Sequence, residues 1–174
     1  MATYSTPPLS RSFLSNNKFD FTLERVKNFV FNVQSVNLPS ITLSSTLIQT
    51  PAVQIPIPGN QISFGSLNLN FIVDEDMQSW YEIYNWMIQL GNPESNNKIG
   101  NLRRDDGYFN SITSDAALFI KTNSNNPRWK VNFKDVFPID LGEVSFSATE
   151  SQEFITSSVT FGYSYYELLS ARGI

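Results

Sequence analysis

The hydrophobic and polar positions of this chain change period once, within residues 66–90, and the remainder is organised around that change. Leu67, Leu69, Phe71 and Val73 alternate with Asn68, Asn70 and Ile72, the two-residue period of a strand with one buried face. From Met77 onward the apolar residues Met77, Trp80, Tyr84, Met87 and Ile88 recur at three- and four-residue steps. That spacing predicts a helix of about four turns, with Met77, Trp80, Tyr84 and Met87 as its core face. Asp74-Glu75-Asp76 stands at the junction, where a short acceptor meets the orphan amides and acids suit the positive helix end, so Asp74 is the expected cap. Gly91 followed by Asn92-Pro93 ends the helix.

Elsewhere the period is two. Phe19, Phe21 and Leu23 predict a first strand, and Phe29, Phe31 and Val33 a second, which shifts phase at Val36 and Leu38 and stops at Pro39. Residues 115–122 predict a strand apolar on both faces, and Asn123-Ser124-Asn125-Asn126-Pro127 a turn. Trp129, Val131 and Phe133 give the next strand. Residues 136–142 then read as a break that redirects the chain. Val144, Phe146 and Ala148 suggest another strand, and Val159, Phe161, Tyr163 and Tyr165 show the clearest alternation of all. Seven or eight strands with one helix point to a mainly β fold, an antiparallel sandwich or barrel with the helix packed on it.

Residues 40–65 differ from the rest. Leu43, Leu47, Ile48, Val53, Ile55 and Ile57 supply aliphatic side chains, while Pro51, Pro56 and Pro58 remove backbone donors. No Lys, Arg, Asp or Glu occurs between Asn28 and Val73. The pattern predicts an extended edge ribbon or hairpin with its tip near residues 44–51 or at Pro58-Gly59-Asn60. A bare apolar edge of this kind aggregates unless something covers it, either the domain's own helix or a partner. The six aliphatic residues are therefore the expected contacts with whatever covers the ribbon. A phase inversion across Gly65 predicts a bulge or bend there.

Composition narrows the function mainly by what it lacks. The chain of 174 residues suits one domain, expected at 18–167, with a flexible arm at 1–17 and a tail at 168–174. It holds no cysteine and no histidine, which excludes a disulfide framework, thiolate or histidine metal sites, and Ser-His-Asp or Cys-His catalysis. A net charge of −4 gives no general attraction to nucleic acid or anionic membrane. The first twenty residues have no apolar core of a signal peptide, and the longest apolar run, 116–120, is far too short to span a membrane.

The remaining candidates for chemistry have simpler explanations. Asp74-Glu75-Asp76 offers oxygens to a hard cation, but lacks the spaced ligands of a calcium loop and sits where a helix needs capping. Glu143, Glu150 and Glu153 are a conceivable carboxylate pair for glycoside hydrolysis, with nothing to fix their separation. Lys98, Arg103 and Arg104 are offset by Asp105 and Asp106, and Gly59, Gly65 and Gly107 match no phosphate-cradling spacing. Trp80, Tyr81, Tyr84 and Trp86 suggest a sugar-stacking platform, although aromatics at helical spacing usually form core. No catalytic, cofactor or metal site is expected, and the chain does not read as an enzyme.

The order of these features resembles a known family. An alternating strand runs into an acid-capped, Trp-rich helix. A Trp-Lys-Val-Asn-Phe-Lys-Asp-Val-Phe-Pro-Ile-Asp-Leu-Gly-Glu-Val-Ser-Phe block at 129–146 and a closing Glu-Phe-Ile-Thr-Ser-Ser-Val-Thr-Phe-Gly-Tyr-Ser-Tyr strand at 153–165 follow. This is similar to the tail tube proteins of contractile-tailed phages of the T4 type, including the related tube initiator of the baseplate. The resemblance spans roughly residues 18–167 and is most specific at 136–141, 144–146 and 159–163. It implies a protomer assembled six to a ring, with rings stacked into a hollow tube, the sheets of neighbours joined and a long loop or hairpin reaching the adjacent ring. It also implies sheath and baseplate proteins as partners, double-stranded DNA sliding through the lumen without specific binding, and residence in the virion tail after assembly in the host cytoplasm. A negative protomer suits such a conduit, since each basic contact would add affinity for the polyanion. The polar arm and the Tyr-Tyr-Glu-Leu-Leu-Ser-Ala-Arg tail depart from the usual pattern and leave tube and initiator both open. A carbohydrate-binding β-sandwich and a carboxylate hydrolase are the rival expectations.

Overall fold

The computed structural model describes residues 13–26, 32–49, 51–91, 112–148 and 154–170. In chain order these form β1 (Phe19–Leu23), β2 (Val33–Val36), β3 (Ile41–Gln49), β4 (Gln54–Phe64), β5 (Leu67–Ile72), α1 (Gln78–Gly91), β6 (Ser114–Lys121), β7 (Pro127–Leu141), β8 (Thr156–Gly162) and β9 (Tyr165–Ser170). Every pairing between strands is antiparallel. One seven-stranded sheet runs β1-β6-β7-β8-β5-β2, with β9 also paired to β7, and β3-β4 form a separate two-stranded ribbon. The large sheet is open, with β1 and β2 at its two ends.

The organising strand is β7, 15 residues long. The sequence predicts a break at 136–142, but the strand continues through a bulge. Asp135 adopts a left-handed φ of 56°, and the ladder to β6 shifts between Ala116↔Phe133 and Ser114↔Val136. An extra residue inverts the phase of everything after it, so Val131 and Phe133 are buried before the bulge and Val136 and Pro138 after it. The two halves also change partner: β9 lies along residues 129–134 and β8 along 137–141. A local loss of alternation therefore marks a continuous strand that serves two halves of a sheet.

Residues 142–148 form no strand, contrary to the expectation at Val144, Phe146 and Ala148, and Phe146 is 73% exposed. Both edges of β8 are already occupied, by β7 and β5, so no ladder is open to that segment there. Gly142 instead turns the chain off the sheet. Its N–H donates to Ser158 O (2.7 Å), and its carbonyl accepts from Ser157 Oγ (3.0 Å) and Trp80 Nε1 (3.4 Å). At the other end, β9 keeps the chain in the sheet to Ser170, beyond the tail boundary expected at 168. Of the bulge or bend expected at Gly65, the bulge is absent: Gly65 lies in the connection through which the chain passes from β4 of the ribbon to β5 of the large sheet, and its N–H donates to Ser40 O (2.9 Å).

The helix forms where the period changes. Asp74 Oδ2 accepts from Gln78 N (3.2 Å) and its Oδ1 from Ser79 N (3.3 Å). The expected core face is corrected in part: α1 buries Ser79, Ile83 and Trp86, with Trp80, Met87 and Leu90 half-buried beside them. Tyr84 is 41% exposed, and Met77 lies outside the helix with a left-handed φ of 51°. The helix begins one residue later than the periodicity suggests, and the sheet it packs on selects the stripe one residue to the side. Trp86 meets Phe161 at 6.2 Å between ring centroids and donates Nε1–H to Ile112 O (2.9 Å). Phe21, Leu23, Leu67, Leu69, Phe71, Leu118, Val131, Phe133, Val159 and Phe161 complete one cluster drawn from both halves of the sheet. The sheet thus wraps a single core that α1 closes.

Candidate interaction surface

The six aliphatic residues that the sequence singles out all lie on the β3-β4 ribbon or its tip. Their exposures are 51% for Leu43, 55% for Leu47, 48% for Ile48, 64% for Val53, 50% for Ile55 and 41% for Ile57. Ile41 and Ile62, which the reading passed over, are exposed to the same degree (56% and 55%). The pairing Gln49↔Gln54 places the reversal between those two residues, at the far end of the first predicted tip. Pro58-Gly59-Asn60 lies within β4, at the irregularity between Leu43↔Ile62 and Ser45↔Pro58. There a Cβ on Gly59 would come within 2.2 Å of Ser44 Oγ, so the close approach requires glycine. The prolines fit because both outer edges of a two-stranded ribbon are free of ladder partners.

Register decides which way the apolar groups face. Near the root, Ile41/Phe64 and Leu43/Ile62 share one face and Thr42/Ser63 the other. Farther out, Leu47/Pro56 occupy one face, and Thr46/Ile57 and Ile48/Ile55 the opposite one. The distal half is therefore apolar on both sides, and helix α1 does not cover it. This contiguous apolar surface without charge is the candidate for an interaction site.

At the root, the ribbon is fastened by its neighbours in sequence and by the far end of the chain. Asn37 bridges the two entry segments, its Nδ2 donating to Ser66 O (3.0 Å) and its Oδ1 accepting from Asn68 N (2.6 Å). Tyr163 Oη donates to Gly65 O (2.7 Å) and Tyr166 Oη to Pro39 O (3.1 Å). Burial pushes the Tyr163 phenol up to about 12, so it remains a donor through the neutral range. In the sequence Tyr163 is only an alternating strand position, and nothing local signals its partner 98 residues away.

The other candidates do not converge. Asp74 is engaged in capping, and no group of three or more metal-ligating side chains occurs among the described residues. Glu150, Glu153, Lys98, Arg103, Arg104, Asp105, Asp106 and Gly107 lie outside the described residues. Trp80 stacks on Tyr84 (5.4 Å, 11°) and Tyr81 on Tyr84 (6.5 Å, 23°), while Trp86 points into the core. A polar depression of about 370 Å³ is lined by Glu24, Arg25, Ser114, Asp115 and Asp135. Two of its charged residues are engaged: Asp115 pairs with Lys134, whose pKa this contact raises, and Arg25 reaches Gln89 and the Trp86 ring. No described helix is long and apolar enough to cross a membrane.

Comparison with known proteins bears on the fold and the family. The tail tube terminator protein of Enterobacteria phage T4 is 27% identical over 166 residues, covering 85% of this chain and 90% of that protein. Among solved structures, the tube-terminating cap of the anti-feeding prophage superposes with a TM-score of 0.67 at 16% identity, covering 98% of this chain and all of that one. A chain of the PVC sheath-tube complex, from an extracellular contractile injection system, gives 0.65 at 15% identity, covering 96% of this chain and all of that one. Those two likenesses concern the fold. The family profile described as phage tail tube protein matches residues 4–169. With nearly its whole length matched, this chain belongs to the phage tail tube protein family.

Proposed function

We propose that this chain is a structural subunit that assembles with copies of itself into a ring of six at the end of the tube of a contractile tail. The observation that carries the reading is the charge-free β3-β4 ribbon, apolar on both faces of its distal half and exposed on the isolated chain. Open sheet ends at β1 and β2 add to it, because closure by neighbouring copies removes edges that are a liability on a monomer. The similarity to a tube terminator of phage T4 favours the terminal ring. The ring would contact sheath components and pass DNA through its lumen without binding it specifically, in keeping with the net charge of −4. A second reading, a repeated tube subunit in stacked rings, is favoured by the near-equal fold similarity to a chain of a sheath-tube complex. The baseplate initiator is a third position for the same fold.

Negative-stain microscopy separates them. A terminal subunit yields single rings that bind one end of a preformed tube and stop its growth, whereas a tube subunit yields tubes that lengthen with concentration. A chain that stays monomeric at high concentration refutes all three.

A further inference from the structure

We infer that Tyr163 and Tyr166 are positioning residues that fix the angle at which the β3-β4 ribbon leaves the sheet. This rests on the reading of that ribbon as the assembly element. Two short segments, 37–40 and 65–66, connect the ribbon to the body, and the backbone bonds from Asn37 N to Asn68 O and from Gly65 N to Ser40 O pair its entry side with its exit side, which leaves the two-stranded ribbon able to bend out of the plane of the sheet. The two hydroxyls act on these connections. Tyr166 holds the carbonyl of Pro39, just before β3, and Tyr163 holds that of Gly65, just after β4. Each strand of the ribbon is thus gripped at its root by one phenol.

The rings join the grip to the core. Phe133 is fully buried and contacts Tyr163 edge-on at 5.3 Å and Tyr166 at 5.6 Å. The tyrosines lie 6.2 Å apart, and Phe64, the last residue of β4, meets Tyr166 at 5.3 Å and Tyr163 at 6.2 Å. A continuous aromatic path therefore runs from Phe133 in the core to the ribbon's root. It also passes through the β8-β9 connection, where Ser164 N donates to Lys134 O (3.0 Å) beside the β7 bulge. The two connections lie close together: a Cβ on Gly65 would come within 2.8 Å of Ser40 Oγ, and Gly65 N–H donates to Ser40 O (2.9 Å). The ribbon's own ladder is complete without either tyrosine, so their loss releases its direction and leaves its pairing intact.

The test exploits the absence of cysteine from the chain. Cysteines introduced at Ala52, near the ribbon tip, and at Thr156, on β8, take spin labels, and the distance between them is read by pulsed electron resonance with labelled chain diluted in unlabelled chain. The parent should give one narrow distance distribution, and Tyr163→Phe/Tyr166→Phe one at least twice as wide, with the ribbon's amides still protected. Reverting either position alone should restore part of the narrowing. An unchanged width in the double variant, or a parent distribution that is already broad, overturns the inference. Should the double variant fail to melt cooperatively, Tyr166→Phe alone carries the comparison with the same two outcomes. The distance is read at a concentration where sedimentation shows single chains, so it does not depend on whether the protein forms rings, which microscopy decides separately.

Discussion

Replacing Ile48 and Ile55 together by serine separates assembly from folding. The two residues are a directly opposed pair on one face of the ribbon, 48% and 50% exposed, and neither belongs to the core cluster. Fully burying an isoleucine side chain stabilises by about 1.5–3 kcal/mol, so covering the exposed half contributes roughly 1 kcal/mol per residue. The double variant should therefore weaken each ribbon contact by about 2 kcal/mol, roughly thirtyfold in its equilibrium constant. Within the protomer only a cross-strand pair is lost, a local effect of about 0.2–1 kcal/mol that leaves the core untouched. Sedimentation velocity across a concentration series reads the assembly threshold, and thermal unfolding followed by circular dichroism reads the protomer. The threshold should rise by at least an order of magnitude while the melting temperature moves by no more than a few degrees. An unchanged threshold, or a protomer that no longer melts cooperatively, refutes the assignment of this face to assembly.

Deleting residues 44–58 should leave a protomer that folds and melts cooperatively yet forms no higher assembly in negative stain; loss of folding, or normal rings, contradicts this. Asp74→Ala removes the acceptor for Gln78 N and Ser79 N and should cost about 0.5–2 kcal/mol in chemical denaturation, with ring formation retained in whatever fraction stays folded. Gly142→Ala places a Cβ 2.5 Å from Ser158 Oγ and 3.0 Å from the Ser158 backbone, and should destabilise by roughly 1–3 kcal/mol in the same assay. The Tyr163 phenol is raised in the folded state to about 12, above its ordinary value of 10.0, so folding favours its protonated form. Its contribution is complete below pH 10 and is lost as pH rises through about 12; a pH titration of stability should fall less steeply there in Tyr163→Phe.

The sequence by itself determined the local features whose cause is local. Alternation at Leu67, Leu69 and Phe71 specifies a strand with one buried face wherever it is placed, and the acid before a three- and four-residue period specifies a capped helix. A charge-free stretch with three prolines points to an edge ribbon or hairpin, and the lack of cysteine and histidine removes whole classes of chemistry. The tertiary structure decided what depends on partners distant in sequence. Alternation cannot distinguish a broken strand from a bulged one, because both invert the phase; only the partners β6, β8 and β9 show that residues 127–141 are continuous. Helical periodicity narrows the buried stripe to neighbouring choices, and the sheet beneath selects Ile83 and Trp86 over Tyr84. The two tyrosines at the ribbon's root act on carbonyls 98 and 127 residues upstream, and a hydroxyl accepts or donates according to what the fold brings within about 3 Å. Side-chain period is a property of the backbone alone, whereas contact is a property of the whole chain folded, and the direction of the ribbon belongs to the second.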